Sequence, residues 1–120
     1  MQLSVTIHSA AGFQKHTGLV DKTDIYVELQ CGAQSWRTSV AKDAGSHGSF
    51  EETWTFEADP GLSEILIKAC DAKHLQSDEL LAQGKIHFDQ RPGFFYTGEV
   101  ALQDDKHGRE PCIRMTIQCS

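Results

Sequence analysis

The side chains able to do chemistry here include six histidines and four cysteines, and their spacing excludes most of what those types allow. His8, His16, His47, His74, His87 and His107 are spread over turn-like stretches and polar strand-like faces. No pair of them has the helical spacing of metal ligands, and a zinc site would need Cys and His gathered tetrahedrally. Cys31, Cys70, Cys112 and Cys119 fall inside apolar runs, without a CxxC or a dense framework, so they read as reduced core thiols. Nucleophilic catalysis needs Ser or Cys beside a base and an orienting acid, and no Gly-x-Ser-x-Gly elbow is present. The run Gly45-Ser46-His47-Gly48-Ser49 lacks the Lys and helix that a phosphate-cradling loop requires, and it reads as a flexible link between strands. Asp71-Ala72-Lys73-His74-Leu75-Gln76 lacks the alternating carboxylates and sixth-position Gly of an EF-hand. The expectation is a protein that is not an enzyme and has no small-molecule substrate.

These side chains must be held by a single domain, residues 1–120, whose 39% hydrophobic and 23% charged composition is that of a globular chain. At this length a core forms without a metal or disulfide staple. The net charge of -6 argues against nucleic acid, whose phosphates must be neutralised by Lys and Arg. Asn is absent, so there is no N-glycosylation acceptor. Met1 runs into a strand-like segment without an apolar signal region, and no apolar stretch nears the ~20 residues of a membrane helix. These features predict a cytoplasmic protein, with peripheral membrane or cytoskeletal association left open.

The positioning elements read as strands. Leu3, Val5 and Ile7 alternate with Gln2, Ser4, Thr6 and His8, the period-two signature of one buried and one wet face. The same pattern recurs at Ile25, Val27, Leu29 and Cys31; at Trp36, Thr38 and Val40; at Phe50, Trp54 and Phe56; at Ile65, Ile67 and Ala69; and at Ile113, Met115, Ile117 and Cys119. Turn chemistry separates them at Gly32, Asp59-Pro60-Gly61, Arg91-Pro92-Gly93 and His107-Gly108. Ile86 to Phe88 and Glu99 to Leu102 complete an all-β, eight-stranded antiparallel β-sandwich. Asp78 to Gln83 is the one stretch with helical character, too short to shape the fold.

Thr23-Asp24-Ile25-Tyr26-Val27 resembles the Ser-Asp-Pro-Tyr-Val signature of C2 domains, with Ile25 in place of the proline. Ala10-Ala11-Gly12-Phe13 is similar to the family's Ala-x-x-Leu, Trp36-Arg37-Thr38 to its Lys-Thr strand, and Phe50-Glu51-Glu52-Thr53-Trp54-Thr55-Phe56 to its Trp-Asn-Glu-x-Phe-x-Phe strand. Leu66-Ile67-Lys68-Ala69-Cys70-Asp71 and Asp78-Glu79-Leu80-Leu81-Ala82 resemble the fifth strand and the third calcium loop. The matches run in order from Leu3 to about Phe88, which makes the chain C2-domain-like.

The resemblance implies a calcium site of about five carboxylates from loops one and three, and here it is incomplete. Asp24, Asp71 and Glu79 match ligand positions, while the first loop-one ligand falls near Gly18 and the second loop-three ligand on Lys73. An ammonium at that position repels a dication and pairs with Asp24 and Asp71, so Asp24, Asp71 and Glu79 form a degenerate calcium site. Two other readings stay open: the carboxylates cap turn amides, or calcium binds weakly with Asp21 or Asp78 recruited. No cofactor is expected beyond such weak calcium. At the same loop tips, Lys15, Leu19, Val20, Lys73, His74 and Leu75 mix basic heads with aliphatic wedges that suit an anionic membrane surface. The alternative is that the aliphatics cover the sandwich end and the lysines are solvated. The family's basic face, on strands three and four, offers Arg37 and Lys42 against Asp43, Glu51 and Glu57, which favours a protein partner there over a phosphoinositide. The function expected is a non-catalytic docking module, a calcium-independent protein-interaction or scaffold domain. The alternative is a peripheral membrane-targeting domain that binds anionic phospholipid through loops one and three with weak calcium dependence.

Overall fold

The computed structural model describes residues 1–13, 24–41, 47–73, 77–104 and 110–120. Eight strands follow in chain order: β1 Gln2–Ala11, β2 Ile25–Cys31, β3 Gln34–Arg37, β4 His47–Glu57, β5 Glu64–Asp71, β6 Glu79–His87, β7 Phe95–Ala101 and β8 Cys112–Cys119. They form two antiparallel four-stranded sheets, in the orders β4-β1-β8-β7 and β3-β2-β5-β6. The alternation in sequence becomes the core between them. Leu3, Val5 and Ile7 of β1, Ile113, Met115 and Ile117 of β8, Val27 and Leu29 of β2, and Ile65 and Ile67 of β5 are all buried. Two inner faces supplied by period-two strands are what closes a sandwich. The four cysteines are free thiols, and burial pushes the Cys31 and Cys70 thiols up from the usual range.

Three expectations need correction. Asp78 to Gln83 is not helical: Glu79 begins β6, which pairs with β5 from Asp71↔Glu79 to Glu64↔His87. A full ladder with a buried neighbour outweighs the weak local preference of a single turn. His47, Gly48 and Ser49 belong to β4, not to a link, because they pair with Ala11, Ala10 and Ser9. The third strand ends at Arg37 rather than running to Val40. Thr38 stops it: its backbone N–H donates to the Val27 carbonyl at 2.9 Å, but its hydroxyl oxygen takes the Val27 N–H at 3.0 Å, replacing the ladder's carbonyl. The chain re-joins β2 at Ile25↔Ala41.

Two glycines serve specific geometry. Gly32 supplies the positive φ of 62° in the two-residue β2–β3 connection. Gly84 lets the segment after β7 close over β6, where Gln83 and Gln103 exchange backbone hydrogen bonds of 2.8 and 3.1 Å; a Cβ there would stand 2.9 Å from Leu102 Cδ2.

Candidate functional site

The start of β2, the end of β5 and the start of β6 lie at one end of the sandwich, because Ile25 and Glu79 both pair with Asp71. Antiparallel pairing therefore gathers Asp24, Asp71, Lys73, Asp78 and Glu79 from distant parts of the chain. Their groups are already engaged with one another. Asp71 Oδ1 accepts the Asp24 N–H at 3.0 Å, while its Oδ2 lies 2.9 Å from Lys73 Nζ. Lys73 Nζ also stands 3.6 Å from Glu79 Oε1. Asp78 Oδ1 accepts the Lys73 backbone N–H at 3.0 Å, and its Oδ2 accepts the Tyr26 hydroxyl at 2.7 Å. The Ala72 N–H closes the corner on the Asp24 carbonyl at 2.9 Å.

The electrostatics follow from these contacts. The hydrogen bond that the Lys73 ammonium donates to Asp71 raises it above the usual lysine range against an opposing desolvation, with the charges of Asp71 and Glu79 adding to the rise. The Tyr26 hydroxyl and the Lys73 amide hold Asp78 below the usual carboxylate range. The reciprocal effect of Asp78, together with burial, raises the Tyr26 phenol well above its ordinary value. The Arg37 guanidinium lies over the Tyr26 ring, 4.5 Å from its centroid, and covers it from solvent.

Asp24, Asp71, Lys73 and Glu79 thus meet at this end. Lys15, Leu19, Val20, His74 and Leu75 lie outside the described residues, as do Gly18, Asp21 and Lys42. The basic face is corrected by the topology. Arg37 stands on β3, whereas Glu51 and Glu57 stand on β4 in the opposite sheet, so those acids do not oppose it on a shared face. Arg37 pairs with Glu28, which pairs in turn with Lys68, and Lys85 stands further along the same outward face on β6. Lys68 and Lys85 were missed because alternation identifies a wet face without identifying its sheet. Tyr26 as the partner of Asp78 was also missed. Its signal was a large aromatic at a polar-face position, which in a folded chain usually finds a partner for its hydroxyl.

A two-sheet sandwich with carboxylates gathered where the β2, β5 and β6 ends meet defines the class of protein. The family model of the C2 domain matches residues 1–107, and the chain belongs to that family. The chain is 28% identical over 87 residues to "Elicitor-responsive protein 3" of Oryza sativa subsp. japonica, covering 72% of this chain and 60% of that protein. It is 27% identical over 84 residues to "16 kDa phloem protein 2" of Arabidopsis thaliana, covering 70% of this chain and 56% of that one. The match therefore spans about 60% of these relatives' length. The fold is similar to a C2 domain of plant Extended Synaptotagmin 1, with a TM-score of 0.82 and 13% identity over 98% of this chain and 92% of that one. A C2 domain-containing protein from a putative elicitor-responsive gene has a TM-score of 0.73 and 20% identity, with 100% and 88% covered.

Proposed function

We propose that this C2 domain is a non-catalytic docking module that engages a protein partner without calcium. The observation that carries this reading is the position of Lys73, whose ammonium lies 2.9 Å from Asp71 and 3.6 Å from Glu79. A hard dication takes six to eight oxygens, about as many as several free carboxylates and carbonyls supply. As arranged, the donor set does not fit one: both oxygens of Asp71 and both of Asp78 already accept protein donors. The lysine supplies the counter-charge that a metal would otherwise bring. The net charge of -6 further disfavours a general attraction to anionic surfaces.

A second reading, targeting of anionic phospholipid by the loop end, is favoured by Leu80. This side chain is 48% exposed directly after Glu79 at the same end. Calorimetric titration with calcium, and co-sedimentation with anionic and neutral vesicles with and without calcium, separate the two. The docking reading expects no calcium heat at micromolar concentrations and no vesicle binding. Calcium binding below about 10 μM overturns the first part, and calcium-independent sedimentation with anionic vesicles replaces the protein partner with a membrane.

A further inference from the structure

The other sheet carries an arrangement on its outer face that the loop end does not explain. Between Ile7 and Ser9, β1 advances two residues while its partner on β4 moves from Glu52 to Ser49 and its partner on β8 moves from Met115 to Arg114. β4 therefore carries one extra residue against β1, and β1 one extra against β8. Such bulges re-aim side chains and cluster beside functional sites. Glu51, inside the β4 irregularity, has φ 51°, a left-handed conformation that a non-glycine residue adopts only when its surroundings impose it.

The re-aimed groups form a polar chain across all four strands. Glu51 Oε1 of β4 contacts His8 Nδ1 of β1, His8 Nε2 lies 2.8 Å from Thr116 Oγ1 of β8, and that oxygen lies 2.9 Å from Thr97 Oγ1 of β7. Ser9, Ser49, His47 and Arg114 border the same open cleft of about 610 Å³, which no apolar side chain lines among the described residues. Arg114 forms no ion pair among the described residues, although Glu99 faces it across the β7–β8 ladder. The Glu99 carboxylate instead accepts the Cys112 thiol at 3.3 Å.

The direction of this chain depends on one proton. With neutral His8, the carboxylate of Glu51 draws the ring proton to Nδ1, so Nε2 accepts from Thr116 and Thr116 accepts from Thr97. The Thr97 hydroxyl proton is then consumed inside the sheet. With protonated His8, Nδ1–H donates to Glu51 and Nε2–H to Thr116. Thr116 then no longer gives its proton to the ring and is free to donate it to Thr97, which leaves the Thr97 proton available to the cleft. A protonated His8 also offsets the Glu51 charge. Among the described residues, the other charged or titratable groups on this face near His8 are His47 on β4, Arg114 and Cys112 on β8 and Glu99 on β7.

We propose that this cleft is an oxyanion site that seats the phosphate group of a monoester between Arg114 and the Thr97 hydroxyl, coupled to a proton on His8. The planar fork of Arg114 suits a tetrahedral oxyanion, the serine hydroxyls add donors, and a site without an apolar wall selects a charged group over a hydrophobic one. The site lies on the sheet opposite Arg37 and is independent of the loop-end reading.

The test is a ¹⁵N-detected titration of the 120-residue chain with inorganic phosphate at constant ionic strength and pH 6, with Arg114→Gln, Thr97→Val and Lys85→Gln as variants. Saturable shifts at Ser9, Ser49, Thr97 and Arg114 are expected. Arg114→Gln should weaken binding by about tenfold or more, and Thr97→Val by less. Lys85→Gln, an equal charge loss on the other sheet, should leave binding unchanged. Shifts absent from the cleft, or equal affinity in wild type and a folded Arg114→Gln, overturn the site. Coupling is read with sulfate, which stays a dianion from about pH 5.5 to 8. Affinity should fall across that range in His47→Gln and be flat in the His8→Gln/His47→Gln double variant. The same slope in both overturns the coupling. Co-sedimentation with phosphatidic-acid vesicles assigns the source: Arg114-dependent sedimentation makes it a lipid headgroup, and its absence alongside phosphate binding makes it a soluble phosphate.

Discussion

Replacing Lys73 by Asp should convert a site that excludes calcium into one that holds it. The Lys73 ammonium lies 2.9 Å from Asp71 and 3.6 Å from Glu79, so a dication bound by those carboxylates would stand about 4 Å from it. Two charges against one at that distance repel by about 8 kcal/mol at an effective dielectric of 20 and about 2 kcal/mol in bulk water. The Lys73 side chain is 29% exposed and Glu79 41%, so the water limit is the safe floor. Removing the charge in Lys73→Gln should therefore tighten calcium binding by at least about 30-fold, since 1.4 kcal/mol is a factor of ten. Lys73→Asp reverses the charge and doubles the term to about 4 kcal/mol, or roughly a thousandfold. Asp71 and Glu79 would be released by the same change. The assay is isothermal calorimetry on chelator-stripped protein at 0.1 M salt, with each variant's fold checked by its thermal transition. A folded Lys73→Asp protein that binds calcium no better than wild type would refute the counterion account. So would a wild-type chain already binding below about 10 μM.

Four further outcomes follow from the structure. The raised Tyr26 phenol keeps its proton in the native state, whereas an unfolded tyrosine ionises near pH 10. Its contribution to stability is thus fully present below about pH 10 and lost above it. The absorbance difference at 295 nm between wild type and Tyr26→Phe should show no Tyr26 phenolate until the fold melts, and an earlier rise would break the Asp78 assignment. Asp78, held low by Tyr26 and the Lys73 amide, has the opposite sign: its contribution is present above about pH 4 and fades below it. Tyr26→Phe should accordingly flatten the acid limb of a stability profile measured by urea unfolding. Thr38→Val leaves the buried Val27 N–H without its 3.0 Å acceptor and should lower the unfolding free energy measured in urea by about 1–3 kcal/mol, a loss that a neutral result would exclude. Gly84→Ala puts a Cβ 2.9 Å from Leu102 Cδ2 and 3.0 Å from the Ala101 carbonyl, for an expected cost of about 1–3 kcal/mol and a lower melting temperature.

The sequence by itself determined which side of each strand faces inward. Alternation at Leu3, Val5 and Ile7 or at Ile113, Met115 and Ile117 requires a buried and a wet face, and every one of these six side chains is buried. At Gly32, Asp59-Pro60-Gly61 and Arg91-Pro92-Gly93 the turn residues marked where strands break, and the ordered motifs from Leu3 to Phe88 led to a C2-like sandwich. The motif positions of Asp71, Lys73 and Glu79 were also legible, because the local pattern carried them. Only the tertiary structure decided which wet faces are shared. Period two does not say which strands are neighbours, so Arg37 was set against Glu51 and Glu57, which lie on the other sheet. Helical character at Asp78 to Gln83 yielded to a ladder with β5 that no local window contains. The chain from Glu51 through His8 and Thr116 to Thr97 depends on register across four strands, with sequence separations of 43, 108 and 19 residues. One extra residue on each of two strands re-aims those side chains, and the bulge exists only in the register between paired strands, which no single strand's residues display.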